Sequence, residues 1–158
     1  GIRYEVIPGV SAFSAAAAAL GVELTRPAVA QTVILTRCAG RTGMPEGEAL
    51  QELARHGTTL VLYLSITHLS SVVRELSAGG YAEETPVAVV YRVTWEDERI
   101  VRGTLATIAQ RVRAAKISRQ ALILVGATLA ERRGNSARSK LYDPGFSHLF
   151  RRPMKRSG

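Results

Sequence analysis

A chain of 158 residues, 46% hydrophobic and 22% charged, is long enough to bury a core and too apolar to be disordered. Its formal charge is +8, and a single cysteine, Cys38, excludes an internal disulfide framework and a thiolate-rich metal site. The most apolar run, near residues 10–22, is too short to span a bilayer, and no basic leader precedes an apolar core; the expected location is the cytoplasm, with no membrane partner.

In chain order, the first legible unit covers residues 4–21. Residues 4–7 read as the end of a strand. Pro8-Gly9 reads as a type II turn, in which Gly carries the positive φ, and Ser11 as the side-chain cap of an alanine-rich helix closing at Gly21. Such a turn exposes backbone N–H groups to an anionic or polar ligand, although an ordinary strand-to-helix link explains the same residues. Residues 22–30 form a connector with Pro27, and residues 31–37 a strand with a β-branched, apolar centre. A glycine-punctuated loop follows. Pro45 is expected in the first turn of a helix, with Glu46 and Glu48 near its dipole and Leu50, Leu53 and Ala54 on its apolar side, ending at Gly57.

Residues 59–65 predict a second strand, apolar on both faces and therefore covered on both. Thr67 is expected to cap a helix whose Leu69, Val72, Val73 and Leu76 follow helical spacing, with Gly79-Gly80 as its stop. Residues 86–95 predict a third strand, turning at Glu96-Asp97-Glu98 into a hairpin partner over residues 99–103. Thr104 is expected to cap a helix carrying Leu105, Ile108 and Val112, and residues 120–126 form the last strand. From residue 31 the order is β-α-β-α-β-β-α-β. That alternation predicts the α/β class: a mixed, mostly parallel sheet, one antiparallel hairpin, and helices on both faces.

Chemistry-bearing clusters are scarce. His56, His68 and His148 are far apart, without metal-ligand spacing, so no metal site is expected. Cys38 follows a buried strand and reads as a small hydrophobe; there is no Gly-x-Ser-x-Gly elbow, no phosphate-cradling Gly-x-x-x-x-Gly-Lys and no Gly-x-Gly-x-x-Gly. The three carboxylates at Glu96, Asp97 and Glu98 read as a solvated hairpin tip. With no acid, base or nucleophile standing out, no catalytic residue is assigned. The pattern points to binding, or to a reaction whose reactive group comes from a cosubstrate that the protein orients.

The charge is concentrated at the end. From residue 131 onward eight basic residues face Glu131 and Asp143, which places +6 of the +8 in residues 131–158. Tyr142, Phe146 and Phe150 are interleaved with these cations, as on a single-strand nucleic-acid surface. Leu141, Leu149 and the turn at Asp143-Pro144-Gly145 favour instead a tail that docks its aromatics and keeps its charges wet.

Four segments carry a resemblance to the tetrapyrrole methylase superfamily, nearest to its precorrin-4 C11-methyltransferase branch. They are residues 6–12 with the alanine helix; residues 31–37 with Gly40-Arg41-Thr42 and Pro45; residues 85–91 with Arg102-Gly103-Thr104; and residues 139–144 with 146–151. The first and third are shared across the superfamily, and the second and fourth look specific to the branch. The resemblance implies a two-domain enzyme of cobalamin biosynthesis that holds S-adenosylmethionine between its domains and methylates an anionic tetrapyrrole. By the family pattern the cofactor contacts fall at Pro8, Gly9, Ser11 and Ala12, at Leu64, near Val93, and at Gln120 or Ala121. Arg37 and Arg41, beside the loop at residues 40–42, are expected to meet the substrate carboxylates. Gly43 stands where relatives more often carry Pro.

The glycine-rich first loop and the Gly-Asp-Pro-type loop of the family's N-terminal domain are missing from residues 1–158. The expectation is therefore a C-terminal portion. Residues 1–30 would be the last strand and connecting helix of the preceding domain, 31–130 the C-terminal α/β domain, and 131–158 a basic tail. A homodimer is expected and a nucleic-acid partner is not. The competing readings are a superfamily methylase acting at another tetrapyrrole position or on ribosomal RNA, a non-catalytic basic module binding RNA through residues 132–156, and a remnant serving only a dimer interface.

Overall fold

The computed structural model describes residues 1–40, 42–130, Ser139, Phe146 and Ser147. Five strands, β1 (Val33–Arg37), β2 (Thr59–Tyr63), β3 (Pro86–Tyr91), β4 (Arg99–Thr104) and β5 (Ala121–Val125), form one sheet in the order β1-β2-β5-β3-β4. Four helices, α1 (Ala12–Leu20), α2 (Leu50–Ala54), α3 (Leu69–Ala78) and α4 (Ile108–Ala114), accompany it, with 3-10 turns at Ile66–His68 and Ala127–Leu129.

The core follows from the two-residue period of the strands. Leu60 and Leu62 of β2, Val87 and Val89 of β3, and Ile123 and Val125 of β5 point to one face, where they meet Leu50, Val72, Leu76 and Ile108 of α2, α3 and α4. Val61, Ala88, Val90, Leu122 and Leu124 point to the other, against Ala16 and Leu20 of α1 and Leu129. The three central strands β2, β5 and β3 are thus buried on both faces, as their continuous apolar runs require, while the outer strands β1 and β4 stay partly exposed. Helix α1, grouped on sequence grounds with a preceding domain, covers the second face of this sheet.

The α/β class and the mixed sheet are as expected, but the balance of pairings is reversed. Only β1–β2 is parallel; β2–β5, β5–β3 and β3–β4 are antiparallel. The connections through α2 and α3 do return β1, β2 and β3 in the same direction. The last strand, β5, then enters between β2 and β3 running the opposite way. Helix–strand alternation dictates strand direction without dictating which strands become neighbours.

Several local expectations need correction. Residues 4–7 form no strand: among the described residues no strand lies alongside them to supply a ladder, and Tyr4, Val6 and Ile7 are left exposed. Gly9 is not among the positive-φ glycines, and residues 1–11 make no turn, so Pro8-Gly9 is not a type II turn. Ser11 occupies the N-cap position of α1 without a side-chain bond; its carbonyl accepts from the N–H groups of Ser14 and Ala15 at 3.0 and 3.1 Å. Gly21 does close α1, in the left-handed conformation at φ 66°.

Pro45, Glu46 and Glu48 belong to a turn, because Gly47 at φ 79° breaks the helical path and delays α2 to Leu50. Thr67 lies inside the 3-10 turn that runs directly into α3 and caps nothing. Thr104 ends β4, and the N-cap position of α4 falls to Thr107, whose Oγ1 accepts from the Thr104 N–H at 2.9 Å. Among the described residues no helix is long and apolar enough to cross a membrane.

Candidate functional site

Strands β2 and β3 end, and the oppositely directed β5 begins, at the same edge of the sheet. A cavity of about 480 Å³ opens there, roofed by the start of α1. Five of the expected cofactor residues line it: Ala12, Leu64, Val93, Gln120 and Ala121. They come from four separate stretches of chain, brought together because β5 is inserted between β2 and β3. Pro8, Gly9 and Ser11 are not on its wall. Crevices outside the carboxyl ends of strands, where neighbouring connections diverge, are the usual ligand sites of open α/β sheets.

The backbone around this cavity is unusual. Leu64, Arg92, Thr94 and Gln120 hold φ values of 53°, 45°, 72° and 50°, the left-handed region that non-glycine residues avoid at about 1–3 kcal/mol each. Three of the four line the cavity. Leu64 is also 85% exposed, a large apolar side chain held out of the core at the end of a buried strand. Such outliers persist only where the surroundings over-determine them, and they gather at ligand sites.

Arg92 supplies much of that determination. Its N–H donates to the Gln120 carbonyl at 2.9 Å, its Nε to Gln120 Oε1 at 2.8 Å, and its Nη1 pairs with Asp97 Oδ2 at 2.8 Å. The same guanidinium lies 5.2 Å from the Tyr91 ring centroid and 5.0 Å from that of Trp95. Arg92 and Trp95 both line the cavity, and neither was singled out from the sequence. The run Tyr91-Arg92-Val93-Thr94-Trp95 read as strand there, and Asp97 as part of a solvated tip. An arginine flanked by aromatics and followed by an acid five residues on was the available signal.

At the neighbouring strand end, the buried Ser65 ties β1 to β2. Its Oγ accepts from the Cys38 N–H at 2.8 Å and donates to the Tyr63 carbonyl at 2.7 Å. Cys38 is buried, as expected for a small hydrophobe. Arg37 lies at this end of the sheet but off the cavity wall. Its guanidinium braces the loop after β1, donating to the carbonyls of Cys38 and Gly43 at 3.3 and 3.2 Å and to Thr42 Oγ1 at 3.1 Å. Arg41 and nearly all of the basic tail lie outside the described residues.

A second cavity, of about 570 Å³, lies at the opposite end of the sheet, by the C-terminus of α1. Its two arginines hold main-chain oxygens. Arg102 Nη2 donates to the Leu20 carbonyl at 2.8 Å, and Arg26 Nη1 to the Ala130 carbonyl at 3.2 Å. They join α1 and the connector to β4 and to the stretch after β5. Of the six left-handed non-glycine residues among the described residues, three line the first cavity and none lines the second, which makes the first the candidate site.

The fold and the placement of this cavity define an α/β domain with a cleft at its strand ends, and comparison with known proteins gives its family. The family model of tetrapyrrole (corrin/porphyrin) methylases matches residues 1–109, and the chain belongs to that family. It is 53% identical over 156 residues to the cobalt-precorrin-4 C(11)-methyltransferase of Methanocaldococcus jannaschii, covering 99% of this chain and 60% of that one. It is 51% identical over 151 residues to the precorrin-4 C(11)-methyltransferase of Pseudomonas aeruginosa, covering 96% and 59%. The chain thus spans about three-fifths of the length of these curated relatives.

Among solved structures, a cobalamin biosynthetic enzyme, cobalt precorrin-4 methyltransferase, superposes with a TM-score of 0.79 at 48% identity, over 80% of this chain and 53% of that one. The uroporphyrin-III C-methyltransferase of Thermus thermophilus, solved with S-adenosyl homocysteine, gives a TM-score of 0.63 at 25% identity, over 79% and 53%. The resemblance seen in the four sequence segments is borne out for the family and for the fold.

Proposed function

We propose that this chain is the C-terminal part of an S-adenosylmethionine-dependent methyltransferase that methylates precorrin-4 at C11 in cobalamin biosynthesis. The carrying observation is the convergence of Ala12, Leu64, Val93, Gln120 and Ala121 on one cavity at the strand ends. Relatives at about half identity bear the precorrin-4 C(11)-methyltransferase name, which supports the reaction and the substrate.

The residues present fit an adenosyl cofactor. The cavity offers apolar side chains from Leu64, Val93 and Leu122 for a flat ring system. Leu64 and Gln120, both held in the left-handed region on the cavity wall, are the residues that would supply polar main-chain or side-chain partners to a purine or ribose. The first N–H groups of α1, around Ala12, favour a carboxylate. Pro8, Gly9 and Ser11 lead into that helix and would meet the cofactor from the side of the preceding domain that the relatives' greater length suggests. S-adenosylmethionine, when bound, brings a methyl group that is already electrophilic. This chain's contribution is then to bind and orient and to exclude water, which agrees with the lack of an obvious acid or base.

For the substrate, Arg41 is the residue proposed to bind a carboxylate, and Arg37 braces its sequence neighbours Thr42 and Gly43. A homodimer working in the cytoplasm completes the proposal. The test is to assay the full-length natural protein with S-adenosylmethionine and precorrin-4 and to follow the corrinoid by mass spectrometry. A gain of one methyl, located at C11, is the expected result. An unmodified corrinoid, with methylation of another tetrapyrrole instead, would shift the assignment to a different branch of the family.

A further inference from the structure

Trp95 is 57% exposed although its position is tightly held, and this combination calls for an explanation. Its N–H donates to the Arg92 carbonyl at 3.0 Å and its carbonyl accepts from the Glu98 N–H at 3.0 Å. The adjoining Thr94 N–H donates to Glu98 Oε2 at 2.7 Å. The Arg92 guanidinium sits over the indole at 5.0 Å and is itself fixed by Gln120 on one side and Asp97 on the other. An exposed Arg–Asp pair adds little to stability. Four contacts of one guanidinium, with Gln120, Asp97, Tyr91 and Trp95, serve to pre-organise the cavity wall that Arg92 shares with Gln120 and Trp95.

We propose that Trp95 is a stacking wall for the planar heteroaromatic ring of the cofactor, and that Arg92 is the positioning residue that fixes Trp95 and Gln120 around it. The inference rests on the cofactor reading above and adds the element that selects for a flat ring. The indole is the largest flat surface on the cavity wall, and part of it stays open. Arg92 both covers part of the ring and holds Gln120 in place on the same cavity wall. A purine slides onto such a surface with little loss of conformational freedom, because the wall is already in place. The chain's single tryptophan thereby becomes a binding determinant instead of a core residue.

The test uses the full-length natural protein and S-adenosylhomocysteine as probe. Trp95→Ala should weaken binding about tenfold, in line with the loss of one base–aromatic stack, and Trp95→Phe less than threefold. Subtracting the emission of Trp95→Phe from that of wild type isolates Trp95, and the probe should quench it. Arg92→Lys keeps the charge but loses the fork between Gln120 and Asp97. It should raise the KM for S-adenosylmethionine several-fold while the KM for the tetrapyrrole and the melting temperature stay put. If wild type binds the probe while Trp95 is not quenched and Trp95→Ala binds equally well, this inference falls and the cofactor reading stands. If Trp95→Ala does not fold, quenching in wild type and the Arg92→Lys KM split decide the matter. Wild type that fails to bind the probe at all overturns both.

Discussion

Thr59 and Thr128 share a buried hydrogen bond, their Oγ1 atoms 2.8 Å apart, joining β2 to the turn that follows β5. Thr59 Oγ1 also donates to the Leu24 carbonyl at 2.8 Å, so the proton between the two hydroxyls belongs to Thr128. The pair therefore has a direction. Thr128→Val removes one donor and leaves Thr59 still bonded to Leu24, at a cost of about 1 kcal/mol. Thr59→Val strands both the Thr128 hydroxyl and the Leu24 carbonyl and should cost about 2 kcal/mol. Urea denaturation of the two variants reads the difference; equal costs would contradict the assigned direction.

Gly79 marks a close approach of the connection after α3 to α2. A Cβ there would stand against Ala54 Cβ and 2.5 Å from the Gln51 carbonyl oxygen. Gly79→Ala should destabilise by about 1–3 kcal/mol, as overpacking does. Gly43→Ala, with no neighbour within 4 Å and no positive φ, should be near neutral, and thermal melts of the two side by side make the comparison.

Tyr81 donates its hydroxyl to the Thr58 carbonyl from a buried position, and burial pushes its pKa up from 10.0 to about 12. The unfolded chain therefore loses this proton first. The titration of Tyr81 leaves native stability unchanged below about pH 10 and lowers it as pH rises from about 10 to 12. In Tyr81→Phe that part of the alkaline decline should vanish, along with the hydrogen bond. A chemical-denaturation series across this range in both proteins gives the answer; parallel declines would show that the proton at issue is elsewhere.

Leu64 couples strain to the candidate site. At φ 53° and 85% exposed, it gains little from burial and carries the left-handed penalty. Leu64→Gly relieves that penalty, so the melting temperature should hold or rise, offset only by the extra freedom glycine gives the unfolded chain. The KM for S-adenosylmethionine should nonetheless increase several-fold in the full-length protein, because the apolar wall is lost. A variant both less stable and equally active would invert this account.

Much of this was legible in the residues, and the misses share causes. Strands form at the longer β-branched apolar runs bounded by glycine or proline, as at Thr59–Tyr63 and Pro86–Tyr91, but not at the short run of residues 4–7. The hairpin through Glu96-Asp97-Glu98 was found because three acids cannot be buried together. Helix starts failed at Pro45, Thr67 and Thr104, since a capping residue type does not say whether Gly47 or a 3-10 turn intervenes. The neighbours of β5 failed because pairing over sixty residues of separation leaves no local mark, as with Leu62 opposite Ile123. For the candidate site, Ala12, Leu64, Val93, Gln120 and Ala121 are all reachable only through family likeness. The Arg92 network was hidden because left-handed φ at Arg92, Thr94 and Gln120 has no compositional signature such as glycine would give.

The central place of β5 has a consequence for how the molecule is made. Until residues 121–125 leave the ribosome, β1–β2 and β3–β4 are two separate ribbons, each with one edge meant for a strand that has yet to arrive. The sheet cannot close progressively during synthesis; it closes in one late step that also creates the cavity wall at Gln120 and Ala121. A nascent chain halted in the preceding helix would carry two open edges of apolar β-structure, the kind of surface that recruits chaperones or other copies of itself. In this protein the wall of the candidate site and the cover over both apolar edges are completed together, with Gln120 and the five residues of β5.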